Sequence, residues 1–516
     1  MLRLPKLMII FLMLIPLFLV PSNVFASNNN ESKLLLIYDS LAKGTPQEGN
    51  IESLKRILAA LGFNVKLQSI ENYQSGELSG YNKLIVVRNM LNNFINDQFE
   101  KDLSPYKGAY LHIGHERPSF LKSKFPVEMA LSVPDRAKIT IGGLDQLNIT
   151  ASAERIPIIL HTSGEKYGGL ELASHTEKFP YSVKWGQVAF VPYFGTGFGA
   201  EISMGYVLAD WLGIQNDGQI YLIFKEIYPF SDLKLLESAA NQLYEAGIPF
   251  IFSIRPVFYN TDYPAMKRYL EVLKYVQSRD GSIFVDAPVA SLAAGIQKDL
   301  LKEKMTGFID LLAANGIVPL GIGVSSELYW RNGDQFVEKG MSFFNSAILF
   351  RDDIPELVKE AEPGRSFFSS PISVRWNDVI STLGRPEASR VLPLDLAVTF
   401  DFATGTAEWE EQLQELKESW ISFDDYKYSP HRTETEEYVM ESKEGLLFVN
   451  KEEISIVHTI SSVLPDYEYR EKETKSLEGL FKVQNNFYLI VIGVSLLLFS
   501  GLFVIGYRLY KRKYLK

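Results

Sequence analysis

Residues 487–507 (FYLIVIGVSLLLFSGLFVIGY) form an unbroken run of about 21 residues without a charge, and no other feature restricts the chain so strongly. At 1.5 Å per residue such a run spans the roughly 30 Å of a bilayer's hydrocarbon. Tyr488, Tyr507 and Tyr510 edge it, as suits the headgroup layer. The following tail, 508–516, carries Arg508, Lys511, Arg512, Lys513 and Lys516 and no acid, so the positive-inside rule places it in the cytoplasm and the preceding chain outside. The other end agrees. Residues 1–26 hold Arg3 and Lys6, then an apolar run too short to span, then Val24-Phe25-Ala26, the pattern of a cleaved signal peptide. The chain is expected at the cell membrane with one pass, its bulk extracellular and its C-terminus cytoplasmic.

Between these ends lie enough residues for two or three domains. Cysteine is absent, which excludes a disulfide scaffold and leaves hydrophobic cores to hold the fold. The net charge of −10 grows more negative once the basic ends are set aside, so nucleic acid and other polyanions are not expected partners; neutral or cationic glycans remain open.

The N-terminal part, 27–125, alternates strand and helix. Residues 33–39 are an apolar run ending in Asp39, and 50–61 carry Ile51, Leu54, Ile57 and Leu58 at helical spacing, closed by Gly62. Strands follow at 64–68, 83–88 and 110–114, a pattern that predicts a doubly wound, flavodoxin-like α/β domain. The loop 40–49 lacks any glycine pattern for nucleotides. His112, His115 and Glu116 sit together, but strand alternation sends the two histidines to opposite faces, and the reading is structural. Residues 126–213 turn to short alternating runs broken by Gly and Pro, a β-rich insert that ends in a helix over 201–212.

From Gly218 the alternation resumes. Strands are predicted at 219–224, 248–254, 281–285 and 317–322 and helices at 233–246 and 261–279, with Ser231 or Asp232 as a cap, giving an α/β layer fold or a (β/α) barrel over 214–421. LIFKEIYPFSD (222–232), LYEAGIPF (243–250) and IRP (254–256) resemble the polysaccharide-deacetylase-like, NodB-related family of bacterial membrane-anchored proteins. The resemblance covers about 218–350.

It implies a divalent metal held by one Asp and two His, with a second Asp as base. In this sequence the aspartate pair falls on Lys225 and Glu226, and the His-x-x-x-His positions fall on Asp286 and Ala290. No histidine occurs between His175 and His431. The metal site of the family's type is therefore expected to be lost, with no catalytic residues, metal or cofactor, and Lys225, Glu226 and Asp286 left in the former cleft. Lys225 is expected to pair with Asp286, the two residues closing the cleft as an ion pair. An all-oxygen cation site of Glu226, Asp232 and Asp286 is the alternative, and Asp286 as a base beside Lys225 another. Tyr228, Phe230, Arg255, Phe258, Tyr259, Tyr329, Trp330 and Arg331 fall at strand ends and loops where a glycan would stack, or else in the core. The family plan implies an extracellular polysaccharide and synthase subunits as partners; a working esterase or glycosidase, or an envelope scaffold without glycan affinity, are the rival readings. Residues 422–486 are frequently charged and read as short strands followed by a stalk.

Overall fold

The computed structural model describes residues 34–63, 65–90, 96–133, 137–149, 155–215, 217–287, 298–325, 343–350, 371–383, 392–454 and 477–514. The expected signal peptide, and Tyr329, Trp330 and Arg331, lie outside these. Two units separate, Met1–Ile460 and Ser461–Lys516.

The first unit opens with β1 (Leu34–Tyr38), α1 (Asn50–Ala60), β2 (Val65–Ser69), β3 (Lys83–Arg88), α2 (Asp97–Leu103), β4 (Ala109–Gly114) and α3 (Ser119–Lys124). Every residue of β1 is buried, as an apolar run must be when helices cover both faces of a parallel sheet. Then come β5 (Val127–Ser132), β6 (Ala137–Ile141), β7 (Leu144–Ile149), β8 (Ile156–Thr162), β9 (Glu165–Leu172), β10 (Lys178–Trp185), β11 (Val188–Val191) and α4 (Phe198–Leu212). One nine-stranded sheet runs β2-β1-β3-β4-β11-β10-β9-β6-β7. It is parallel from β2 to β11 and antiparallel beyond. The β-rich stretch, expected as an insert of its own, thus extends the N-terminal sheet: β11 returns to lie parallel to β4, and only β5 and β8 pair apart from it.

His112, on β4, is fully buried with Nδ1 2.9 Å from the Tyr110 hydroxyl and its ring stacked on Phe190. Burial pushes its imidazole down to about 3, so it is a neutral core group. His115 is 3.1 Å from Glu116 and apart from it.

The second sheet is built from β12 (Ile220–Ile227), α5 (Leu233–Glu245), β13 (Ile251–Ile254), α6 (Pro264–Ser278), β14 (Ser282–Asp286), α7 (Lys298–Ala314), β15 (Pro319–Ser325), β16 (Ala347–Phe350), β17 (Ile372–Arg375), α8 (Trp376–Leu383), β18 (Leu396–Asp401) and α9 (Thr406–Glu418). Its seven strands are all parallel in the order β16-β15-β14-β13-β12-β18-β17. The edge strands β16 and β17 lie beside each other without backbone pairing, so the sheet is a nearly closed barrel. Phe224, Phe252, Phe400, Phe402 and Trp409 interlock within it and beneath its helices. Asp232 caps α5, accepting from the amides of Lys234 at 2.9 Å and Leu235 at 3.1 Å, while Ser231 accepts from the Tyr228 amide.

Much of the charged segment expected as strands and stalk is a folded cap. β19 (His431–Glu434), β20 (Val439–Lys443), β21 (Leu446–Val449) and β22 (Glu452–Glu453) form an antiparallel sheet over the amino-terminal end of the barrel. Thr433 donates to the carbonyl of Pro319 at 2.7 Å, and the Asp424 amide to that of Ile220 at 2.7 Å. Tyr426 packs edge-on against Tyr221 and Phe284. In β19 the charges alternate with buried positions, so frequent charge here marks one solvated face of a strand.

The second unit is described as one helix, α10 (Leu477–Tyr514). None of its apolar stretch Val491–Arg512 is buried. Twenty-two residues rise about 33 Å, long enough to cross a membrane.

Candidate functional site

Ligands of open and barrel-like parallel sheets bind beyond the carboxyl ends of the strands. There the second sheet gathers Asp401 from β18, Lys225 and Glu226 from β12, Ser253 from β13 and Arg255 just after it, and Asp286 from β14. A bulge arranges them. Phe224 pairs with Phe252, yet Ile227 pairs with Ile254, so β12 has one residue more than its neighbour. The extra turn falls at Glu226, whose φ of 61° is a left-handed conformation uncommon outside glycine. Backbone held in this way clusters at functional sites.

The bulge sends the two side chains to different partners. Lys225 pairs with its own register neighbour on β18, Asp401, Nζ to Oδ1 3.2 Å, with the ammonium 5.3 Å above the Phe350 ring. Glu226 meets Arg255, Nη2 to Oε1 2.8 Å, and accepts a hydrogen bond from the Tyr228 hydroxyl on its other oxygen. Arg255 also lies 3.2 Å from Asp286 through Nε. That approach is off the hydrogen-bonding direction, so the second contact is an ion pair without a directed bond. Asp286 in turn accepts from the Ser253 hydroxyl. The expected Lys225–Asp286 pair is therefore not formed: the partner of Lys225 is Asp401, and that of Asp286 is Arg255.

These environments set the protonation states. Burial raises the Asp286 carboxyl to about 6, against the pull of Arg255 and Ser253. Burial also raises Glu226, but the Tyr228 hydrogen bond and the charges of Arg255 and Lys225 outweigh it and hold Glu226 below the usual carboxylate range. For Arg255 burial is likewise overcome, by Asp286 and Glu226, so the guanidinium is held more firmly charged. The Tyr228 hydroxyl is raised by its bond to Glu226.

The remaining expected residues divide. Tyr228 joins the cluster, its ring 5.8 Å from the Arg255 guanidinium and stacked on Phe230 at 4.9 Å and 17°. Phe230 is 82% exposed, so this stack faces solvent and is not core. Tyr259 is exposed and sits under the Lys304 ammonium, 3.9 Å from its ring, outside the ion-pair cluster. Asp232 is occupied as the helix cap, so it does not complete an oxygen site. Ser253 and Asp401 escaped the sequence reading; an apolar run ending in Asp, VTF before Asp401 as IFV before Asp286, was the signal available.

A divalent metal does not fit this arrangement. Lys225 and Arg255 stand between the carboxylates that would have to converge on it, and their charges repel a cation. No group of three His, Asp or Glu converges among the described residues.

In the first sheet, the corresponding crevice outside β1 and β3 is filled by its own side chains. Asp39 accepts from Arg88 Nε at 3.0 Å and from the amides of Asn89 and Met90, and Asn50 bridges Asn89 and the Phe194 carbonyl.

No protein-family model matches the sequence, and no curated protein matches it. Among solved structures, a family 4 carbohydrate esterase from Streptomyces lividans in complex with acetate is similar at 8% identity and a TM-score of 0.24, over 39% of this chain and 88% of that one. A family 4 carbohydrate esterase from Bacillus anthracis is similar at 11% and 0.23, over 40% and 80%. A polysaccharide deacetylase from Mycobacterium smegmatis is similar at 12% and 0.24, over 40% and 87%. Each is a partial likeness, too distant to assign this chain to a family.

Proposed function

We propose that this chain is a membrane-anchored, extracellular protein whose deacetylase-like barrel has exchanged metal chemistry for ion pairs, and which binds or organises an exopolysaccharide during synthesis or export. The observation that supports this reading best is the alternating row Asp401, Lys225, Glu226, Arg255, Asp286, flanked by the exposed Tyr228–Phe230 stack. Each charge has a partner of opposite sign, so the row holds itself together without a metal, while a stacked aromatic pair at its rim is suited to the apolar face of a sugar ring. A barrel retains its shape when its chemistry is removed, and a shaped cleft still binds. Within the same reading, the parallel strands β2-β1-β3-β4-β11 form a flavodoxin-like domain, since their order is that of the flavodoxin sheet. The basic tail faces the cytoplasm, and membrane-embedded synthase subunits are the partners.

One observation favours a second reading. Asp286, buried and titrating near 6, has the character of an acid or base, which would serve a carbohydrate esterase or glycosidase with unconventional ligands.

The full chain in detergent, incubated with acetylated hexosamine oligomers, tests both. Retention of the oligomers without acetate release, and no stoichiometric metal by elemental analysis, is the expected result. Acetate release abolished by Asp286→Ala would establish the enzyme instead. Neither retention nor release, with acetylated and with free-amine oligomers alike, would leave an envelope scaffold and end the glycan reading.

A further inference from the structure

We infer that the carboxyl-end site selects hexosamine polymers bearing free, protonated amino groups over their N-acetylated forms. This deepens the glycan-binding reading and rests on it. Charge placement carries the argument. Both cations lie low: the Lys225 and Arg255 side chains are 21% and 22% exposed, and each is already covered by carboxylates. The acids reach outward, Asp401 with 73% of its side chain exposed and Glu226 with 37%. At mildly acidic pH the buried Asp286 keeps its proton, so two ionised acids face two bases, and what sets the row apart is that its charged acids lie outward and its bases beneath them. Asp401 spends Oδ1 on Lys225, and Oδ2 has no partner among the described residues. Glu226 stays ionised into acidic conditions because Tyr228 and Arg255 stabilise its charge. A ligand approaching from solvent therefore meets carboxylate oxygens before it meets either cation.

An ammonium brings three donors and a full charge to such oxygens, whereas an N-acetyl group brings one neutral N–H and a methyl that the oxygens do not solvate. The aromatic stack points the same way independently. The exposed face of Phe230, backed by Tyr228 at 4.9 Å, presents the negative side of a ring quadrupole, which attracts both the C–H face of a sugar and a neighbouring ammonium. Anionic glycans would meet repulsion from the outward carboxylates.

The test is calorimetric titration of the full chain in detergent, at mildly acidic pH and low salt, with short glucosamine oligomers and their N-acetylated counterparts. The amine form is expected to bind about tenfold more tightly, the worth of one charge-assisted hydrogen bond. Asp401→Asn, at an exposed position, should keep the melting temperature while reducing the preference severalfold, and raised salt should do the same. Phe230→Ala should weaken both oligomers, and the amine form more than the acetylated one. Equal or tighter binding of the acetylated form by the unaltered chain overturns the inference and leaves the glycan reading intact; binding of neither oligomer overturns both.

Discussion

Arg255→Met is the most informative single change, because its effect has a shape as well as a size. In the native protein Asp286 keeps its proton up to about pH 6, while an unfolded aspartate releases it near 3.8. Between those values the native state binds the extra proton, so stability falls as pH rises, by about 3 kcal/mol in all, and is level above pH 6. Burial causes the rise, and Arg255 is the largest influence opposing it. Without the guanidinium, native Asp286 should hold its proton beyond pH 6 and stability should keep falling, by about 1.4 kcal/mol per further pH unit. The variant should thus sit roughly 1 kcal/mol or less below the parent at pH 5, where only the half-exposed pair with Glu226 is lost, and about 2–3 kcal/mol below it at pH 8. Urea unfolding followed by tryptophan fluorescence from pH 5 to 8, on the chain ending at Ile460, measures this directly. Adding Asp286→Asn should remove the widening. If the gap between Arg255→Met and the parent is constant across pH, Arg255 does not govern the Asp286 carboxyl, and the ion-pair account of the site fails.

Two further outcomes follow from geometry and burial. His112 is pushed down to about 3 by burial and by Arg88, so the unfolded chain binds the extra proton below pH 6.5 and acid costs the native protein about 1.4 kcal/mol per unit there; His112→Gln should flatten this limb of an acid-unfolding curve read by circular dichroism. A Cβ at Gly323 would collide with the Phe350 ring and lie 2.9 Å from Asp286 Oδ1, so Gly323→Ala should lose about 1–3 kcal/mol and several degrees of melting temperature, whereas Gly307→Ala, exposed on α7 with nothing within 4 Å, should be neutral or slightly stabilising.

The barrel was legible in the sequence wherever one local signal sufficed. Apolar runs long enough for a strand but not a helix, each closed by a turn, marked β12, β13 and β14; helical spacing and a capping aspartate marked α5. The strand ends carried Lys225, Glu226, Arg255 and Asp286 with them, so four members of the row were visible by position. Long-range pairing was not. Nothing in residues 188–191 announces that they lie beside 110–113, because the signal for a buried strand says what covers it and not which strand it pairs with. The cap was obscured for the opposite reason: in β19 and β20 charge follows period two, and a count of charges without their period reads as a stalk.

The site's own error is the most instructive. Strict alternation along β12 puts Lys225 and Glu226 on opposite faces and leads Lys225 to Asp286. Lys225 instead keeps register with Asp401 on β18, a long-range pairing that no local signal announces, while the bulge against β13 adds one residue and redirects the chain from Glu226 onward. Bulges of this kind often announce themselves by glycine, but here the left-handed position is held by Glu226. That conformation is unfavourable for a residue with a Cβ and persists where surrounding contacts over-determine it. The contacts present are Arg255 on one carboxylate oxygen and Tyr228 on the other. Glu226 is therefore fixed by the cluster that it helps to form, and the same charge pattern holds the strained turn in place: the ion pairs and the bulge are one feature, and neither is visible to a reading that treats each strand alone.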